Sequence, residues 1–337
     1  MADRNNQIAE FLYEAGWGGA GRAIVAADAS FRRYDRISDG DRRAVLMDAP
    51  PPMEDVRPFL MLARHLGGLG YSAPRILAED ATAGFLLLED LGDATFTRLL
   101  ASGKDENLLY LMATDLLIDL HRRPVDQAVP VGCPYYDDAR LLDEAALLTD
   151  WYLPQISREP ASAAASTDYL YLWKIALDQA RAVPESLVLR DYHVDNLMRV
   201  DGREGIAACG LLDFQDAVCG PVTYDLVSLI EDARRDVSPP VADNVIAHYL
   251  AAFPALDRDD FACSLAVLGA QRHAKVIGIF TRLCVRDGKA DYLLHIPRVW
   301  RLLEAACSHP SLAPIRGWLD SHIPPDRRVI PPCGAGT

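Results

Sequence analysis

Three side chains carry the strongest chemical signal in the sequence. Asp191 is followed five residues later by Asn196 in LVLRDYHVDNLMRV, and Asp213 closes GLLDF just before Phe214. D-x4-N with a D-F at hairpin distance is the set that phosphoryl transfer needs. One carboxylate accepts or orients the proton of an attacking hydroxyl, while an amide and a second carboxylate hold a divalent cation against phosphates. Asp and Asn oxygens are hard ligands that suit Mg²⁺ and leave positions for phosphate and water. Each residue also has a plainer reading, Asp191 and Asn196 as turn hydrogen-bonders and Asp213 as a helix cap. The order of the three, with a strand-rich segment upstream, favours the chemistry.

Other motifs imitate function. Gly16, Gly18 and Gly21 satisfy G-x-G-x-x-G by count, but they follow an amphipathic helix instead of a strand, so no helix N-terminus would face a pyrophosphate. The stretch to Arg22 lacks the Lys and Ser/Thr of a P-loop and reads as a helix end and turn. The seven scattered cysteines form no CxxC pair and read as buried free thiols.

The elements that must position these residues follow from pattern. Residues 4–15 form a short helix, and AIVAAD, RRYDRI and AVLMD read as antiparallel strands, with Asp39-Gly40 turning the hairpin. Val56, Phe59, Leu60, Ala63 and Leu66 stand at helical spacing, stopped by Gly67-Gly68. RILAED and GFLLLED complete a five-stranded meander with one inserted helix. From about residue 105 the pattern is helical: Leu109, Met112, Leu116 and Leu120 share a face ending near His121, read as a structural histidine, and Pro124 closes the segment. Residues 138–152, 167–182 and 222–320 are further helical stretches, interrupted by a β-hairpin turning at Asp201-Gly202. The expected division is a β-rich lobe over residues 1–90, a helical lobe over 91–325, and a disordered tail over 326–337.

Composition bounds the partners. The chain has 337 residues, 50% hydrophobic and 24% charged, as in an ordinary globular protein, and a formal net charge of −14. That balance speaks against nucleic-acid and membrane partners, which need basic patches. No apolar run approaches a membrane span, and MADRNNQIAEFLYEAG lacks a signal-peptide layout, so a cytoplasmic monomer is expected.

The blocks DASFRRYDRI, MDAPPP, FLLLEDLGD, LVLRDYHVDNLM and LLDFQDAVCGPVTYDLVSLIEDARRD, spread over most of residues 5–305, resemble the aminoglycoside phosphotransferase and choline-kinase-like superfamily. Within it they are most similar to the bacterial anomeric kinases of N-acetylmuramate and N-acetylglucosamine. The resemblance implies an α+β, two-lobed protein-kinase-like fold with a small antiparallel-sheet N-lobe and a larger, mainly helical C-lobe. It implies ATP and Mg²⁺ as cofactors, an amino sugar as the small-molecule substrate, and an α-1-phosphate as product. Asp191 would be the base and Asn196 and Asp213 the Mg²⁺ ligands. Residues 28–34, with Asp28, Ser30, Phe31, Arg32 and Arg33, would cover the phosphates. Glu89 to Leu91 would present backbone groups to adenine, with Leu87 and Leu88 as apolar wall. Asp225 would brace the catalytic loop, its plainer reading being a helix N-terminal carboxylate.

For the acceptor, Tyr192 and His193 adjoin the base, and Asp216 follows Asp213 by three residues. QRHAKVIGIFTRL places Arg272, Lys275 and Arg282 on one long helix with Gln271, where a cation could meet a carboxylate or phosphate, or simply face solvent. The chain departs from the superfamily at two points. Met47 stands where a phosphate-binding Lys is usual, leaving Arg32, Arg33 or Arg43 to supply charge and Glu54 without a role. Leu189-Arg190 replaces a His before the base, with Arg190 read as structural. Two alternatives stay open: another acceptor (aminoglycoside, choline or homoserine), or a nucleotide-binding regulator without turnover. The intact Asp191, Asn196 and Asp213 argue against the second.

Overall fold

The structure, a computed structural model, describes residues 2–27 and 31–332. In chain order the elements are α1 (Ala2–Glu14), β1 (Gly21–Ala27), β2 (Arg33–Asp39), β3 (Arg42–Asp48), α2 (Arg57–Gly68), β4 (Ile76–Asp80), β5 (Phe85–Glu89), α3 (Phe96–Ala101), α4 (Glu106–Arg122), α5 (Val125–Ala128), α6 (Asp138–Leu147), α7 (Leu153–Ser157), α8 (Ala163–Ala180), β6 (Glu185–Val188), β7 (Leu197–Arg199), β8 (Cys209–Leu211), β9 (Val218–Pro221), α9 (Thr223–Ile230), α10 (Pro239–Ala252), α11 (Arg258–Asp287), α12 (Ile296–Ala306) and α13 (Ala313–His322). They fall into two units, Met1–Asp105 with Val194–Ala217, and Glu106–His193 with Val218–Thr337. The expected boundary at residue 90 is therefore corrected: the β7–β8 hairpin belongs with the sheet. Isolated bridges Ser72↔Gly210 and Thr95↔Met198 and an Arg203–Glu89 ion pair at 2.6 Å tie it there.

In the first unit the sheet order is β1-β2-β3-β5-β4, antiparallel throughout. It is not the simple meander expected, because the connection through α2 sends β4 to the edge and β5 returns beside β3. Asp39 pairs with Arg42 around Gly40 at φ +57°, the turn that Asp-Gly predicts. Alternation sorts the two faces. Ile37, Ala44, Leu46, Phe85 and Leu87 bury against Ile8, Phe11 and Leu12 of α1, leaving Tyr34, Arg36, Val45 and Leu88 on the opposite face. Gly16, at φ +77°, ends α1 in a turn that returns the Trp17 N–H to the Leu12 carbonyl at 2.7 Å, so the glycine-rich start is a helix terminus.

The second unit packs around α11. Asp257 caps its start by accepting from the Asp259 and Asp260 N–H groups, and Gly288 ends it in the left-handed region at φ +69°. Its core includes Tyr152, Tyr169, Trp173, Ile277 and Trp300. β6 pairs with β9, a ladder additional to the one hairpin expected, because its strands are too far apart in sequence to read as a hairpin. The tail is corrected over 326–332. Arg328 pairs with Glu304 and Asp320, both at 2.5 Å, and Tyr152 Oη donates to the Val329 carbonyl at 2.8 Å. Cys133, Cys209, Cys219, Cys263 and Cys307 are free as expected, whereas Cys284 is disulfide-bonded. Among the described residues no helix is long and apolar enough to cross a membrane.

His121 is structural, as its place on α4 suggests. Nδ1 bonds Tyr249 Oη at 2.8 Å, Nε2 is shut off from solvent, and burial pushes the ring down to about 3 from 6.5. A depressed histidine contributes stability that is present above its unfolded value and is lost as pH falls through the window below 6.5. Urea unfolding of the wild type should therefore lose stability between pH 7 and pH 4. In His121→Gln that loss should shrink by about 2 kcal/mol; an unchanged difference would exclude His121 as its source.

Candidate active site

Asp191 sits on the loop after β6, and the loop is fastened from several sides. Asp225, near the start of α9, accepts from the Leu189 N–H at 2.6 Å and the Arg190 N–H at 2.9 Å. The brace reading thus has two bonds behind it, and burial pushes the Asp225 carboxyl up to about 7. Arg190 takes φ +68°, its carbonyl accepts from Ser228 Oγ at 3.1 Å, and its guanidinium pairs with Glu144 and lies 5.6 Å from the Tyr136 ring centroid. Glu144 also accepts from Tyr136 Oη at 2.5 Å and pairs with Lys275 Nζ at 3.0 Å. Asp191 itself is exposed. The protein mass around its carboxyl is the largest single influence and raises it, but Lys275, His193, Arg190 and Arg272 together hold it below the usual carboxylate value.

The acceptor candidates fare unevenly. Tyr192 is buried and donates through Oη to the Ala113 carbonyl at 2.8 Å, anchoring the loop on α4, so its substrate assignment is corrected. His193 is buried, accepts from Arg234 at 3.3 Å, and is lowered chiefly by burial. Arg272 is buried with Nη1 3.4 Å from the Glu231 carbonyl, and Gln271 is buried with Nε2 on the Leu141 carbonyl at 2.9 Å. Burial also lowers Arg282. The α11 polar residues are thus mostly built into the unit, not spread over a solvent face. Asp216, in the other unit, is exposed.

In the first unit the β7–β8 hairpin brings Asn196 and Asp213 together. Leu212 N–H donates to the Asn196 carbonyl at 2.9 Å, and Asn196 Nδ2 lies 3.5 Å from Asp213 Oδ2. Asp213 has φ +56°, Gln215 Nε2 donates to its Oδ1 at 2.6 Å, and Phe214 stacks on Phe59 with centroids 5.0 Å apart. Both residues line a pocket of about 350 Å³ with Val25, Tyr34, Val45, Leu88, Glu89 and Leu91 among its walls. Among the described residues no cluster of three or more His, Cys, Asp or Glu is placed to hold a metal. A cation at Asn196 and Asp213 would complete its shell with water and ligand oxygens, the habit of Mg²⁺, so the residues fit that ion.

Around this pocket Glu89 pairs with Arg75 at 3.1 Å and Arg203 at 2.6 Å, while Asp90 pairs with Arg36 at 2.7 Å. Asp28 and Ser30 lie outside the described residues. Phe31 is exposed, and its N–H donates to Glu54 Oε1 at 3.1 Å. Arg32 Nε donates to Glu54 Oε2 at 3.0 Å, and Nη1 lies 3.9 Å from Asp213 Oδ1. Arg33 faces Asp35 at 3.6 Å and Asp48 at 3.7 Å. Met47 is buried opposite Tyr34 and Leu86. Glu54, left without a role by the sequence, holds the Phe31 N–H and the Arg32 guanidinium. Sequence reasoning also missed Glu144 and Arg36, whose partners are distant in the chain and leave no local pattern.

Three comparisons bear on the chain's family and fold. The phosphotransferase enzyme family matches residues 22–261. The chain is 34% identical to the N-acetylmuramate/N-acetylglucosamine kinase of Caulobacter vibrioides, covering 97% of this chain and 99% of that one. It is 39% identical to the enzyme of the same name from Pseudomonas aeruginosa, covering 91% and 90%. The choline kinase of Streptococcus pneumoniae, 10% identical, superimposes with a TM-score of 0.61 over 90% of this chain and 99% of that one, which identifies the fold as the α+β kinase-like one. With a matching profile over most of its length and relatives alike from end to end, the chain belongs to the phosphotransferase enzyme family.

Proposed function

We propose that this protein is an ATP- and Mg²⁺-dependent kinase. It phosphorylates the anomeric hydroxyl of N-acetylmuramate and N-acetylglucosamine, giving the α-1-phosphate in the recycling of cell-wall amino sugars. The observation that carries the reading is the near end-to-end similarity to kinases named for those two sugars, supported by the presence of Asp191, Asn196 and Asp213 in the sequence. In this reading the sheet-bearing unit takes the nucleotide in the pocket lined by Leu88, Glu89 and Leu91, and the helical unit takes the sugar.

Asp191 accepts the anomeric hydroxyl proton as that oxygen attacks the γ-phosphorus. The bond from phosphorus to the β–γ bridging oxygen breaks, and ADP leaves. Asn196 and Asp213 would hold Mg²⁺, which supplies positive charge to the phosphate oxygens. Little covalent work falls to side chains, so positioning and electrostatics supply most of the rate. Lys275, which pairs with Glu144, serves here to keep Asp191 ionised.

Asp191→Asn should lower kcat by about 10²- to 10⁴-fold while ATP binding survives. Phosphorus NMR of wild type with ATP, Mg²⁺ and N-acetylmuramate should show a proton-coupled anomeric phosphate. ADP without that signal would discard the acceptor, and near wild-type turnover in the variant would sink the base assignment. Lys275→Met removes a cation that favours the charged form of Asp191, so its carboxyl should titrate higher. The acid limb of kcat/KM should then move to higher pH. An unmoved limb would show that Lys275 does not tune the base.

A further inference from the structure

A kinase needs positive charge beside the nucleotide phosphates, and on this fold it usually comes from a lysine on the third strand. Here β3 lines the pocket with Val45, and Met47, two residues on and so on the same sheet face, is an uncharged, buried side chain. We infer that Arg32, clamped by Glu54, is the cation that binds the nucleotide polyphosphate, and that Glu54 is the positioning residue that aligns it. An Arg–Glu pair between the β1–β2 turn and the segment ahead of α2 thus replaces a Lys–Glu pair. The inference rests on the kinase reading for its ligand.

Geometry selects Arg32 from the three candidate arginines. Glu54 uses both oxygens on this turn, Oε2 on Arg32 Nε at 3.0 Å and Oε1 on the Phe31 N–H at 3.1 Å, so it fixes both the guanidinium and the backbone beside it. The pair is largely shielded, with side-chain exposures of 13% and 11%. The other end of the guanidinium, Nη1, is directed to Asp213, at 3.9 Å from Oδ1, beside the oxygens that would hold the cation. Arg33 alternates to the sheet face covered by α1 and is engaged there by Asp35 and Asp48. Arg43 stands exposed at the hairpin end of β3, opposite Ser38. A guanidinium is suited to the task, because its planar fork stays charged and can bond a carboxylate and a phosphate at once.

The test compares Mg-ATP with adenosine, which lacks the phosphates, by calorimetry, with melting temperatures recorded as a folding control. Arg32→Met should weaken Mg-ATP by about 10- to 100-fold and leave adenosine within about twofold. Arg32→Lys should fall between. Glu54→Gln should lower kcat more than it raises the KM for ATP, as expected of a residue that aligns another. The double variant Arg32→Met with Met47→Lys should recover part of the lost ATP affinity. Unchanged ATP affinity in Arg32→Met, an equal loss of ATP and adenosine, or the ATP loss appearing in Arg43→Met instead would each overturn the inference. Arg32-dependent ATP binding in a wild type that phosphorylates no sugar would uphold the inference and overturn the proposed acceptor. A wild type that binds no ATP overturns both.

Discussion

Asp225 takes two backbone N–H groups on one buried carboxylate, and the presentation of Asp191 depends on it. The chain must turn sharply after β6 to expose Asp191, and it does so with a non-glycine residue, Arg190, in the left-handed region. Such a conformation costs about 1–2 kcal/mol and persists only where its surroundings hold it. Arg190 is held at its N–H by Asp225, at its carbonyl by Ser228 and at its guanidinium by Glu144. The three anchors come from α9 and α6, so the loop inherits the rigidity of the helical core. Burial raises the Asp225 carboxyl strongly, and the two donors are what offset part of that rise.

The other unit solves a similar problem by the same means. Asn196 and Asp213 are separated by 17 residues, yet the register Leu197↔Leu211 places them side by side at one end of a short hairpin. Asp213 also adopts a left-handed φ, and Gln215 fixes its carboxylate while Phe214 is wedged on Phe59. Arg190 and Asp213 are each over-determined by their neighbours, which is how a fold holds a strained backbone conformation in place.

What the sequence disclosed was local. The Asp39-Gly40 turn, the apolar stripe of α2 and the end of α1 at Gly16 are all written within a dozen residues, and each appears in the structure. What it concealed was long-range. Glu144 and Arg190 are 46 residues apart, Arg32 and Glu54 are 22 apart, and β6 meets β9 only after the hairpin has intervened. Periodicity tells which face of an element is buried, not which neighbour it meets. Tyr192 shows the limit well: adjacency to Asp191 suggested a substrate contact, but the loop's turn sends its ring into the core.

Charge shows the same separation of scales. A formal net charge of −14 describes how the molecule repels polyanions at a distance, and it says nothing of the field at one carboxylate. Around Asp191 the local sign is reversed, for Lys275, His193, Arg190 and Arg272 outweigh the desolvation by surrounding protein that would raise its carboxyl. Two of those groups, Lys275 and Arg190, are themselves held by Glu144. That carboxylate limits how much positive charge is uncompensated inside the unit while both cations still act on Asp191. An acidic protein can in this way keep Asp191 ionised, because the relevant charges are set by α11 and the loop after β6, not by the surface total.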